Sequence, residues 1–71
     1  MKKNIKITVG GKIKEYRIAR AVTQQKLAET AEIDYKYLQR IEGKNPPNLK
    51  IETVEKISTA LKVNASDLFN P

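Results

Sequence analysis

Four side chains near the middle of the chain, Tyr35, Lys36, Gln39 and Arg40, have the types and the spacing of a recognition surface. Leu38 and Ile41 lie three residues apart, which puts both on one face of a helix and turns residues 35, 36, 39 and 40 to the other side. Arg and Lys can donate to guanine O6 and N7 or to a phosphate, Gln can pair with an adenine edge, and Tyr offers a hydroxyl or an apolar contact to a thymine methyl. The chemistry these residues support is noncovalent binding of nucleic acid. A solvated helix face is also usually charged, so the weight falls on the elements that would hold this face in place.

Those elements are two short helices in close succession. Leu27, Ala28 and Ala31 share one face of a helix over Gln24 to Ala31, with Thr23 as its cap. Only Glu32 and Ile33 separate it from Asp34, whose carboxylate suits the N-cap of a second helix running from Tyr35 to about Glu42. Helices joined so tightly must cross steeply, and small, inward-facing Ala28 suits the point where the axes approach. The pattern is a helix-turn-helix.

The rest of the chain supplies the frame. Thr8 is a fair cap for a first helix reaching about Arg20, with Val9, Ile13 and Tyr16 inside. Gly10 and Gly11 fall in its first turn and weaken it by up to about 1 kcal/mol each. Residues 1–7 read as a basic N-terminal arm. In it Ile5, Ile7 and Val9 alternate with polar residues at strand spacing, with no second strand to meet. Such an arm is disordered, packed on the domain through its isoleucines, or paired with something outside the chain. Gly43 to Asn48, with two prolines, breaks the helical pattern. Ile51, Val54, Ile57 and Leu61 then hold helical spacing, and Asn64 with Asp67 caps a short last helix carrying Leu68 and Phe69. The expected fold is all-α, a compact five-helix domain over residues 8–71 preceded by the arm.

Composition narrows the function classes. Seventy-one residues make one small domain that buries only about 60% of its unfolded surface. With no cysteine and no histidine, disulfides, Cys/His metal sites and catalytic groups of those types are excluded, and no cofactor or metal is expected. No apolar run approaches the roughly 20 residues of a membrane span, so a cytoplasmic location is expected. The net charge of +6 is uneven: residues 1–50 hold 12 Lys/Arg against 5 Asp/Glu, and residues 51–71 hold 2 against 3. That distribution favours a polyanionic partner. Nucleic acid comes before membrane, because no helix pairs a basic face with a large apolar one.

Five blocks in order, Gly-Lys-Ile-Lys-Glu-Tyr-Arg (11–17), Thr-Gln-Gln-Lys-Leu-Ala (23–28), Tyr-Leu-Gln-Arg-Ile-Glu (37–42), Ile-Glu-Thr-Val-Glu-Lys-Ile (51–57) and Ala-Leu-Lys-Val-Asn-Ala-Ser-Asp-Leu-Phe (60–69), resemble the Cro and phage-repressor family. This is the xenobiotic-response-element (XRE) type of helix-turn-helix protein, with a lambda-repressor-like fold. The resemblance implies that Gln24 bonds a DNA phosphate and braces the recognition helix, and that Tyr35, Lys36 and Arg40, with Gln39 beside them, occupy base-edge positions. It also implies a structural ion pair between Arg17 and Glu42. The chain departs from the family pattern at Glu32 and Lys62, where glycine is usual, and at Glu42-Gly43-Lys44, which comes one residue early. A left-handed backbone at a non-glycine residue costs roughly 1–2 kcal/mol.

The expected function is that of a sequence-specific, double-stranded DNA-binding transcriptional regulator, most often a repressor, reading the major groove with the helix at 35–42. Lys36, Lys44 and the Lys2-Lys3 arm stand where phosphates could reach. The alternative is a protein-interaction adaptor or antitoxin subunit with the same fold. An enzyme is not expected: Asp34 and Glu42 have structural roles, and Ser58 and Ser66 lie far from any base. A weak homodimer is expected, through Leu68 and Phe69 or through Ile5 and Ile7, and no small-molecule effector.

Overall fold

Thr23 and Asp34 each end an extended stretch and start a helix. The Thr23 hydroxyl accepts from the Lys26 N–H at 3.0 Å, and the Asp34 carboxylate accepts from the Tyr37 N–H at 3.1 Å. Each thereby satisfies a donor that the first helical turn leaves without a partner. In the computed structural model, which describes residues 5–70, they open α2 (Gln24–Ala31) and α3 (Tyr35–Ile41). The long α1 (Ile5–Ala19) precedes them; α4 (Ile51–Leu61) and a 3-10 turn (Ala65–Leu68) follow. Among the described residues there is no strand.

Two expectations about the ends are corrected. The first helix begins at Ile5, not after a cap at Thr8, so residues 5–7 are its first turn and not part of an extended arm. Helical spacing explains this: Ile5, Val9 and Ile13 follow one another at four-residue steps, and Val9 and Ile13 are buried. Ile7, which gave the stretch its strand-like alternation, lies on the outer side and is half exposed. Lys2 and Lys3 fall outside the described residues. The expected fifth helix is a single 3-10 turn of four residues, tied at its start by the Asn64 N–H donating to Asp67 Oδ2 at 3.0 Å. So short a segment closes i→i+3 bonds, such as Asp67 N to Asn64 O at 3.0 Å, and stops.

One core unites the elements: Val9 and Ile13 from α1, Leu27, Ala28 and Ala31 from α2, Leu38 and Ile41 from α3, Val54, Ile57 and Leu61 from α4, and Leu68. Leu68 is fully buried, so it closes the core and is not surplus apolar surface. Gly10 is also buried, and its role differs from the expected one of weakening a first turn. A Cβ at this position would collide with the carbonyl oxygen of Ile41; the missing side chain lets α1 press against the end of α3. That close approach helps fix where α3 sits.

The two non-glycine departures adopt the strained backbone. Glu32 has φ 58° and closes α2, its N–H donating to the Glu29 carbonyl at 3.2 Å, and Lys62 has φ 60° and closes α4 in the same way. Ala21, between α1 and α2, is a third, with φ 55°.

Candidate nucleic-acid interface

The recognition-type helix is short, and its apolar anchors are few. Of the seven residues of α3, only Leu38 and Ile41 are buried. Two buried side chains on a helix of seven residues would leave it free to tilt, and polar bonds hold both its ends. At the N-terminus, Asp34 caps the first turn, and the preceding turn is closed by the Ile33 N–H donating to the Ala28 carbonyl at 2.9 Å. At the C-terminus, Glu42 is the hub.

Glu42 is almost fully enclosed, with its side chain 2% exposed against 12% for Arg17. Arg17 meets it with two parallel bonds, Nε to Oε2 at 2.9 Å and Nη2 to Oε1 at 2.9 Å. A planar guanidinium matches a carboxylate in this two-point way, which fixes direction as well as distance. The remaining terminal nitrogen, Nη1, donates to the Val22 carbonyl at 2.9 Å. Gln24 adds a fourth tie, its Nε2 donating to Glu42 Oε1 at 3.1 Å. The Glu42 carboxylate at the end of α3 therefore ties the end of α1 to the first residue of α2, and Arg17, which it orients, reaches on to the loop before α2.

Against this fixed frame, the outward face of α3 is open. Tyr35, Lys36, Gln39 and Arg40 are all exposed, and Lys44 is exposed in the loop that follows. Among the described residues, no side-chain hydrogen bond or ion pair engages Lys36, Gln39, Arg40 or Lys44. Their donors are available to a ligand. The nearby carboxylates do not cancel this positive charge fully: Glu42 is neutralised by Arg17, and one Asp34 oxygen accepts from the α3 backbone.

The structure thus gathers the six residues picked out from the sequence for nucleic acid into two groups. Tyr35, Lys36, Gln39 and Arg40 share the α3 face, with Lys44 one loop away. Gln24 stands apart, half-buried at the start of α2. Its amide has a second N–H and a carbonyl oxygen beyond the bond to Glu42, so bracing the helix and reaching outward are compatible. Sequence reasoning missed the bond from Arg17 to the Val22 carbonyl and the packing role of Gly10. No spacing rule announces the first, and the second could have been suspected from a glycine lying between Val9 and Ile13 in a helical pattern.

A family model described as a helix-turn-helix domain matches residues 10–70. The chain belongs to the helix-turn-helix domain family. Within it, the relatives are regulators of the XRE type that the five sequence blocks resemble. The control protein C.BamHI of Bacillus amyloliquefaciens is 32% identical over 99% of this chain and 86% of its own length. The HTH-type transcriptional regulator SinR of Bacillus licheniformis is 36% identical over 87% of this chain; the match spans 56% of that longer protein. Among solved structures, SinR, the master regulator for biofilm formation, in complex with DNA, superposes with a TM-score of 0.82 at 34% identity, covering 87% of this helix-turn-helix chain and 98% of that one. The restriction-modification controller protein C.AhdI from Aeromonas hydrophila superposes with a TM-score of 0.84 at 26% identity, covering 90% and 96%.

Proposed function

We propose that this helix-turn-helix protein regulates transcription by binding double-stranded DNA sequence-specifically, laying α3 in the major groove and acting as a repressor through occupancy of its site. The observation that carries the reading is the pairing of a helix clamped at both ends with an outward face of four exposed side chains whose polar groups suit base edges. The SinR complex with DNA, at 34% identity, supports it. Tyr35, Lys36, Gln39 and Arg40 approach bases; Gln24 and Lys44 approach phosphates on either side. The protein acts in the cytoplasm, where no cofactor or small-molecule effector is needed.

A single helix of this length supplies too few contacts to select one site among the many competing sites of a genome. The protein therefore works as a weak symmetric homodimer on a palindrome whose half-sites lie about one helical turn, roughly 34 Å, apart.

Selection of bound sequences from a random DNA pool, followed by affinity measurements at several salt concentrations, tests the reading. An enriched palindrome is expected, with log K falling by about 0.9 per log unit of salt for each phosphate neutralised. If no sequence is enriched and the salt response is shallow, the face serves a protein partner instead, as in an adaptor or antitoxin subunit.

A further inference from the structure

The outward face of α3 is not uniform. Residues four apart lie one above the other on a helix, so the face divides into two rows: Lys36 with Arg40, both cationic, and Tyr35 with Gln39, both uncharged. The cationic row carries donors only, which match guanine edges or phosphates. The uncharged row calls for a different ligand group, and Tyr35 decides which.

Tyr35 differs from the other two tyrosines of the chain. Tyr16 and Tyr37 pack against the core, and the Tyr16 ring also has the Arg20 guanidinium 5.2 Å from its centroid. Tyr35 is 42% exposed, and within residues 24–41, the helix-turn-helix, it is the one large hydrophobic side chain left open to water. Among the described residues its hydroxyl makes no hydrogen bond and no cation covers its ring. Hydrogen-bonding capacity is already present on this face in Lys36, Gln39 and Arg40. Apolar surface is what Tyr35 alone contributes.

The major groove offers a matching apolar group in one form. Base edges there present donors, acceptors and, on thymine alone of the four bases, a C5-methyl group. Cytosine methylated at C5 carries the same group on the same ring carbon. We propose that Tyr35 reads a pyrimidine C5-methyl with the apolar part of its ring, so that 5-methylcytosine can replace thymine at this contact and the affinity of the protein for such a site responds to cytosine methylation. The proposal rests on the DNA-binding reading above and names the chemical group that one side chain of that face recognises.

Gln39 places the contact. It lies one turn further along the same row, about 6 Å up the axis at 1.5 Å per residue, which is roughly two base-pair steps. The Gln39 amide can pair with an adenine edge, so the methyl-bearing pyrimidine stands within about two base pairs of that base. Burying one methyl-sized group is worth about fourfold in affinity. Such a contact tunes the choice among sites without deciding whether the protein binds.

The decisive change is made in the DNA. In the half-site selected from the random pool, each thymine is replaced in turn by deoxyuridine, which removes the methyl group and leaves every hydrogen-bonding group in place. Titrations with the full-length protein, followed by fluorescence anisotropy, should show about fourfold weaker binding at one thymine. With a C·G pair at that position, methylation of the cytosine at C5 should strengthen binding by a similar factor. Tyr35→Phe should keep both differences, because the ring remains, and Tyr35→Ala should erase both. Circular dichroism verifies that each variant folds, and every comparison is between two DNA ligands of one protein, so a loss of stability cancels from it. Equal binding of thymine and uracil at every position, a methyl preference that survives Tyr35→Ala, or one that is lost in Tyr35→Phe would overturn the proposal and leave sequence-specific binding standing. A pool from which no sequence is enriched would overturn the DNA-binding reading itself, and the methyl contact with it.

Discussion

Helices α3 and α4 solve the same problem, holding a position on one core, by opposite means. The eleven residues of α4 bury Val54, Ile57, Ser58 and Leu61, and its N-cap, Lys50, makes no side-chain capping bond. The seven residues of α3 bury two side chains, and both of its ends are tied by charged groups, Asp34 at one and Glu42 at the other. Buried volume holds α4, while directional bonds hold α3. A helix that must keep most of its circumference free for a ligand has little apolar surface left to bury, so its orientation has to come from hydrogen bonds and ion pairs. Those interactions add geometry more than net stability, because dehydrating two charges offsets much of their attraction.

The largest expected effect tests that contrast directly. Glu42→Ala leaves the Arg17 guanidinium largely buried without its carboxylate, which costs about 3–5 kcal/mol. A domain of this size has of order 4–10 kcal/mol in total. Urea denaturation should show a variant close to unfolding. Ile57→Ala in α4 should cost a similar amount, about 2–5 kcal/mol, through the cavity it opens. The two should part when the partner is also changed. Replacing Arg17 and Glu42 together by Met and Leu should recover much of the stability, with weaker DNA binding as the clamp on α3 is lost. A double variant that binds DNA like the wild type would remove the reason for distinguishing the two helices.

A smaller effect sharpens the contrast at the ligand. Arg40→Ala should leave the denaturation midpoint nearly unchanged, since the side chain is exposed and has no partner among the described residues. It should cost about 1–3 kcal/mol on the selected site and relax preference at one base pair. Equal weakening on all sequences, measured by competition with random DNA, would reassign Arg40 to a phosphate.

The contrast also explains what could be read in the sequence. The helix-turn-helix was legible because its signals are local: Thr23 and Asp34 cap, Ala28 and Leu38 hold helical spacing, and all act within a few residues. The outward set of Tyr35, Lys36, Gln39 and Arg40 followed from the same periodicity. The start of α1 was misread because Ile5, Ile7 and Val9 satisfy a period of two as well as Ile5, Val9 and Ile13 satisfy a helical one; only burial of Val9 and Ile13 under α3 and α4 settles which applies. Gly10 was misread for a related reason. A glycine in a helix costs stability locally, and the compensating approach of the Ile41 backbone is a contact thirty-one residues away. Phe69 and Ile5 were visible as separate apolar surpluses, but their meeting across one groove is a tertiary fact. Glu32 marks the limit of a family pattern: the left-handed turn it was expected to disfavour forms with glutamate in place.

The smallest effect falls on the helix caps and tests whether α4 lacks a capping bond because it does not need one. Lys50 already has the extended backbone of an N-cap, φ −79° and ψ 147°, so Lys50→Ser places a hydroxyl where it can accept from the N–H groups of the first turn. With Glu52 already near the positive end of the helix dipole, that change should add about 0.5–1 kcal/mol. Asp34→Ala should remove about 1 kcal/mol from α3 by the same physics. The consequences for DNA should differ. Loosening the start of α3 lets Tyr35 and Lys36 swing, so Asp34→Ala should weaken specific binding beyond what its loss of stability accounts for, whereas Lys50→Ser should raise the melting temperature and leave affinity for a half-site unchanged. The two are compared by thermal melts alongside half-site titrations. If Asp34→Ala lowers stability alone and leaves site preference intact, Leu38 and Ile41 suffice to orient α3, and the directional account of that helix fails.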